Sequence, residues 1–160
     1  PVTTKTPWEY LKSQAIASAV INAVLNGLIA FSSYKARVDI PYAEAAIDIL
    51  ITVAIITFFT AWIGVGSTRS ELIKGNLSDS SFRFPKLPSS SSFRAAILML
   101  FCIIVFGGVI LDGALFLFAP NGLSNWAYII FKTIYTGLSG ALAIGLAVIS
   151  VIADRDGKKK

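Results

Sequence analysis

Histidine is absent from this chain of 160 residues, and cysteine occurs once, at Cys102. That pair of absences excludes haem sites with histidine ligands, Cys/His zinc sites, cysteine-ligated iron–sulfur clusters and internal disulfides. It also excludes a nucleophile activated by a histidine base. Cys102 lies among Leu100, Phe101 and Ile103, the setting of a small core hydrophobe rather than a reactive thiol. No cofactor and no metal is expected. Charge is scarce as well, at 14% of residues, where a soluble domain carries about 25%.

In place of charge there are long apolar runs. Hydrophobic residues make up 55% of the chain and the mean hydropathy is +0.72. A bilayer core about 30 Å thick asks for roughly 20 apolar residues per helical span. Four charge-free windows meet or approach that length: Ser13–Tyr34, Ile49–Thr68, Ala95–Leu111 and Thr133–Ala153. The last two lengthen if Asp112 and Lys132 are tolerated inside. The fold class expected is therefore an all-α integral membrane protein. Four transmembrane helices, at about 13–34, 42–65, 94–118 and 125–152, form two antiparallel hairpins and one bundle. They make a single transmembrane domain, with a flexible linker over 66–93. The first window is longer than the roughly 7–15 residues of a signal-peptide core and lacks a convincing Ala-x-Ala site, so it reads as a retained span.

The basic residues set an orientation. Lys5 and Lys12, then Arg69, Lys74, Arg83, Lys86 and Arg94, then Arg155, Lys158, Lys159 and Lys160 all fall in the termini or the central linker. The first hairpin turn holds Lys35 and Arg37, and the second, around Asn121-Gly122, holds none. The positive-inside rule puts both termini and the linker in the cytoplasm. The net charge of +5 is thus a topology signal, and no motif points to nucleic acid. Trp8, Tyr10 and Trp62 at one level, and Tyr34, Tyr42, Trp126 and Tyr128 at the other, read as interfacial belts. Pro41 suits the start of the second helix, Ser91 or Ser92 caps the third and Ser124 the fourth. The linker, with Ser89-Ser90-Ser91-Ser92, Pro85 and Pro88, suits surface disorder. Its Arg83 and Lys86, with Lys158, Lys159 and Lys160, suit contact with anionic lipid.

Polar residues inside the spans are the functional candidates. Asp112 lies ten residues before Gly122 and Lys132 ten after it, so both sit at one depth and suit an ion pair. Their side chains lean in opposite directions, because each tilts toward its own helix N-terminus. Helix 1 carries Gln14, Ser18, Asn22 and Asn26 at steps of four, and helix 2 carries Glu44, Asp48 and Thr52. Asn26 and Asp48 are expected to meet near the first turn. Asn22, Asn26, Asp48, Thr52, Asp112 and Lys132 would then line one polar site. The plainer alternative is interhelical glue and a register-fixing pair. Small-residue rows at Ala19, Ala23 and Gly27, and at Gly137, Ala141 and Gly145, suit close helix packing.

Two functions fit. The first is a translocator of an ion or small polar solute, working as a homo-oligomer because four helices enclose no wide path. The second is a non-catalytic membrane subunit, anchor or regulator with membrane-protein partners. An intramembrane enzyme lacks a recognisable nucleophile and base, and no enzymatic activity is expected.

Overall fold

The computed structural model describes residues 4–78, 82–105, 113, 117, 119 and 121–158. The regular elements among the described residues are helices and one short two-stranded ribbon: α1 (Pro7–Tyr34), β1 (Asp39–Ile40), α2 (Tyr42–Ile73), α3 (Ser91–Cys102), β2 (Leu123–Ser124) and α4 (Asn125–Lys158).

Local chemistry explains the ends. Thr6 and Glu9 form a reciprocal capping box, Glu9 N–H donating to Thr6 Oγ1 at 3.2 Å and Thr6 N–H to Glu9 Oε2 at 3.0 Å. Pro7 occupies the first helical position, where its missing N–H costs nothing. α1 therefore starts six residues before the expected boundary. α2 runs on to Ile73, where Gly75 at φ 73° closes it. Gly75 N–H donates to the Leu72 carbonyl at 3.2 Å and Asn76 N–H to the Glu71 carbonyl at 3.0 Å, the two bonds of a Schellman motif. α3 is capped by Ser90, one residue earlier than expected, and Ser124 Oγ accepts from Ala127 N–H at 3.4 Å at the head of α4.

Three described helices are long and apolar enough to cross a membrane: α1, α2 and α4. At 1.5 Å per residue they reach about 42, 48 and 51 Å, well past an apolar core of about 30 Å. The apolar helix from Ser91 to Val105 is shorter. The remainder of the third expected span lies largely outside the described residues.

The arrangement differs from two self-packed hairpins. α4 is central and packs on α1, α2 and α3, while α3 also packs on α2. α1 and α2, though consecutive, scarcely touch. Small residues explain the choice. A Cβ at Gly137 would lie 3.1 Å from the Ala19 carbonyl oxygen and 3.2 Å from the Ala23 Cβ, and one at Gly27 would lie 2.8 Å from Thr133 Oγ1. A Cβ at Gly140 would collide with the Asn22 amide, whereas one at Gly145 would meet nothing. The α1 and α4 rows thus face each other, with Gly140 rather than Gly145 as a contact point. Gly64 brings α2 equally close to Ala147 of α4.

Polarity is inverted relative to a water-soluble domain. Ile16, Val20, Leu28, Ile63 and Leu138 face outward, while Ser18, Thr57, Thr68, Thr136, Ser139 and Ser150 are buried. The Ser18 hydroxyl accepts from Asn22 at 3.1 Å, and the other buried hydroxyls return to their own helices, as Thr57 does to the Val53 carbonyl at 2.7 Å and Ser139 to the Tyr135 carbonyl at 2.8 Å. Among the described residues the Tyr10 hydroxyl is the one buried side-chain polar atom without a hydrogen-bond partner. Three apolar clusters fill the interior. One, around Ile40, Ile49, Val53 and Tyr128, lies at the end where the turns meet. The others, around Leu98, Ala147 and Val151 and around Tyr10, Leu77 and Val148, lie toward the chain termini.

Gly140→Leu is expected to overpack the α1–α4 contact and destabilise the fold by about 1–3 kcal/mol. Gly145→Ala should be neutral or slightly stabilising. Thermal unfolding of both variants in detergent checks the pair.

Candidate functional site

Both turns are fastened before the polar residues begin. β1 and β2 pair antiparallel, Asp39 opposite Ser124 and Ile40 opposite Leu123. Gly122, at φ 102°, leaves no room for a side chain against the Ile40 carbonyl. Asn125 secures the junction, its Nδ2 donating to the Lys35 carbonyl at 3.1 Å and its N–H to the Val38 carbonyl at 3.2 Å. Glu44 meets Arg37 in a two-pronged exposed pair, with Nη2 to Oε2 at 2.9 Å. That hydrogen bond holds the Arg37 guanidinium above its ordinary pKa.

The ribbon sets α2 and α4 off from the same level in the same direction. Asp48 is then nine residues past Asp39 and Lys132 eight past Ser124, so the two share a depth. Both side chains tilt toward the turns, and Lys132 Nζ reaches Asp48 Oδ2 at 2.5 Å. Tyr34, from the last turn of α1, donates to the same oxygen at 3.2 Å, and so does Tyr128, one turn before Lys132. Tyr34 and Tyr128 meet edge to face with ring centroids 4.8 Å apart. Lys132 is 3% exposed and Tyr128 fully buried, whereas the Asp48 side chain is 30% exposed.

Lys132 is therefore the paired base, and the acid it meets is Asp48. Asp112, the expected partner, lies outside the described residues. Tyr128 was read as an interfacial belt residue and Tyr10 likewise; both are buried, Tyr128 because its hydroxyl is spent on Asp48. Trp8, Trp62 and Trp126 are exposed. Thr52 donates to the Asp48 carbonyl at 2.7 Å, within α2. Asn22 Nδ2 donates to the Ser18 carbonyl at 2.9 Å, and Asn26 Nδ2 to the Asn22 carbonyl at 2.9 Å. Asn26 thus bonds its own helix rather than Asp48. The stripe borders a separate groove of about 440 Å³ between α1 and α2, floored by Ile144 of α4.

A second polar cluster lies at the opposite end, and no reading of the sequence singled it out. Arg94 is 0% exposed. Its Nε donates to the Pro88 carbonyl at 3.1 Å, Nη1 to the Ser150 carbonyl at 3.0 Å, and Nη2 to the Leu87 carbonyl at 3.2 Å and to Asp154. Arg94 near the start of α3 and Asp154 near the end of α4 each oppose their own helix dipole, so their placement makes sense as a pair. Arg69 donates to Ser91 Oγ at 2.6 Å and the Ser89 carbonyl at 2.5 Å. Arg155 donates to the Leu77 and Ser78 carbonyls at 3.2 and 2.9 Å. Three arginines thereby bind the backbone of a segment expected to be free. Lys5 adds a bridge, its N–H donating to the Asn76 carbonyl at 3.0 Å, and Phe82, Phe84 and Leu87 pack inward. Arg83 and Lys86 remain exposed.

No group of three or more potential metal ligands among His, Cys, Asp and Glu occurs among the described residues. No protein-family model, no curated protein and no solved structure matches the chain.

Removing one member of a buried ion pair leaves an uncompensated charge at a cost of about 3–5 kcal/mol. Asp48→Leu and Lys132→Met are each expected to lower stability by that order, and the double variant to recover most of it. A double-mutant cycle read by thermal unfolding tests this. Arg94→Lys should behave nearly as badly as Arg94→Met, because one ammonium cannot reproduce the planar fork. Limited proteolysis should then cut within residues 82–90, whose Leu87, Pro88 and Ser89 carbonyls the arginines hold, faster than in the parent.

Proposed function

We propose that the chain is an integral membrane protein crossing the bilayer four times, with both termini and the linker cytoplasmic, and that it serves as a non-catalytic subunit of a membrane assembly. The outward apolar surface of three long helices and the inward polar residues support the membrane reading. The clustering of basic residues at the terminal end supports the orientation. Arg83, Lys86 and Lys158–Lys160 would meet anionic headgroups there, at about 1 kcal/mol per basic residue.

One observation carries the subunit reading: Lys132 is committed to Asp48, and Asp48 Oδ2 is further occupied by two tyrosines. Charges held this way join helices instead of handling a passing solute. The partial exposure of Asp48 favours a second reading, an ion or polar-solute translocator using Asp48, Lys132 and Asp112 as charged groups and Asn22, Asn26 and Thr52 as lining.

The readings separate in two measurements. Alkaline carbonate should leave the chain in the membrane pellet, with single cysteines in the linker labelled only from the cytoplasmic side. Purified protein in liposomes should give no ion or proton flux above empty vesicles, and a stoichiometric partner should co-purify under mild detergent. Flux that disappears in Asp48→Asn while the fold survives would overturn the subunit reading in favour of the translocator.

A further inference from the structure

The groove between α1 and α2 opens sideways and runs along α1 from Gln14 to Ile29. At 1.5 Å per residue that is about 22 Å, most of the thickness of a bilayer core. Its wall is not uniformly apolar. Among the described residues nothing donates to Oδ1 of Asn22 or of Asn26, and Gln14 makes no side-chain hydrogen bond. An acyl chain filling this space would offer neither donor nor acceptor. The occupant that suits the groove is a helix bearing polar side chains at matching depth.

We propose that the occupant is α1 of a second copy of the chain. The inference rests on the membrane reading above and deepens it. Carboxamides are self-complementary, each carrying two donor hydrogens and an acceptor oxygen. Two copies inserted with the same orientation present parallel α1 helices about a twofold axis along the membrane normal. In such an isologous contact residue i of one copy meets residue j of the other and j meets i, and only residues on the axis meet their own counterparts. With the axis beside Asn22, Asn22 of one copy faces Asn22 of the other, an arrangement that fixes parallel register, while Asn26, 9% exposed in the single chain, borders the contact. Ile21 and Leu25, more than half exposed in the single chain, enter the opposite groove. The same contact covers α1, which leans on α4 and on little else.

The test uses full-length protein in native membranes with Cys102→Ala as background. Single cysteines at Ile21 and Leu25 on α1 are compared with one at Ile51, on the exposed face of α2. Mild oxidation should yield disulfide-linked dimers from the two α1 positions and none from Ile51. Asn22→Leu with Asn26→Leu should lower the dimer fraction by at least about threefold, the factor for one lost interhelical amide contact. Because Asn22 also packs on Gly140, Ile21→Trp serves as a second variant. Ile21 lines the groove and is 57% exposed, and the substitution should block dimerisation with thermal stability unchanged.

Absence of the α1 dimers, or dimers that persist undiminished in both variants, overturns the proposal. So does a monomer that retains tightly bound lipid in the groove. Carbonate extraction of the same membranes separates the two failures. A chain that stays inserted without cross-linking refutes the dimer alone, while a chain released from the pellet refutes the membrane reading and the dimer with it.

Discussion

Asp48 Oδ2 receives hydrogen bonds from Tyr34 of α1 and from Tyr128 and Lys132 of α4. One oxygen of α2 therefore ties together the three long helices. An unpaired charge at this depth is expensive in an apolar surrounding, so the geometry around Asp48 constrains everything that delivers those donors. α2 and α4 must run in the same direction from a common level, which the β1–β2 ribbon secures. α1 must end where Tyr34 can reach across. The ordering of the turn end follows from satisfying this carboxylate.

The terminal end solves a different problem with the same economy. Backbone carbonyls of an irregular segment need donors when they are packed against helices. Arg69, Arg94 and Arg155 supply them. Guanidinium groups suit the task because a planar fork bonds several carbonyls at once without giving up its charge. The segment after α2 is thereby an integral part of the packing, and its aromatic side chains complete two of the apolar clusters.

Much of the architecture was legible before any coordinates. The apolar windows located three long helices, and of the small-residue positions Ala19, Ala23, Gly27 and Gly137 lie at the α1–α4 contact, whereas Gly145 meets nothing there. The ends at Tyr34, Tyr42 and Asn125 match, but the start of α1 and the end of α2 were misjudged because charge-free windows measure apolar thickness, whereas caps stop helices. Thr6-Pro7-Trp8-Glu9 and Lys74-Gly75-Asn76 held the missing signals. Lys132 stood out as an intramembrane base, but its acid was sought in the next helix of its own hairpin. The opposed tilt of Asp112 and Lys132 was the clue that a helix parallel to α4 would serve Lys132 better. Arg94 was hidden for a simpler reason. Counting charges cannot distinguish a solvated arginine from one enclosed by carbonyls.

The central position of α4 also bears on the order of assembly. Synthesis delivers α1 first and α4 last, yet α1 scarcely touches α2 and rests on α4. The α4-facing side of α1 and the Asp48 carboxylate consequently wait for Tyr128 and Lys132 until α4 is made. Truncation anywhere before residue 132 thus strands that face of α1 and deprives Asp48 of its lysine, and such a fragment offers quality-control machinery an acid that the finished fold ties to Lys132.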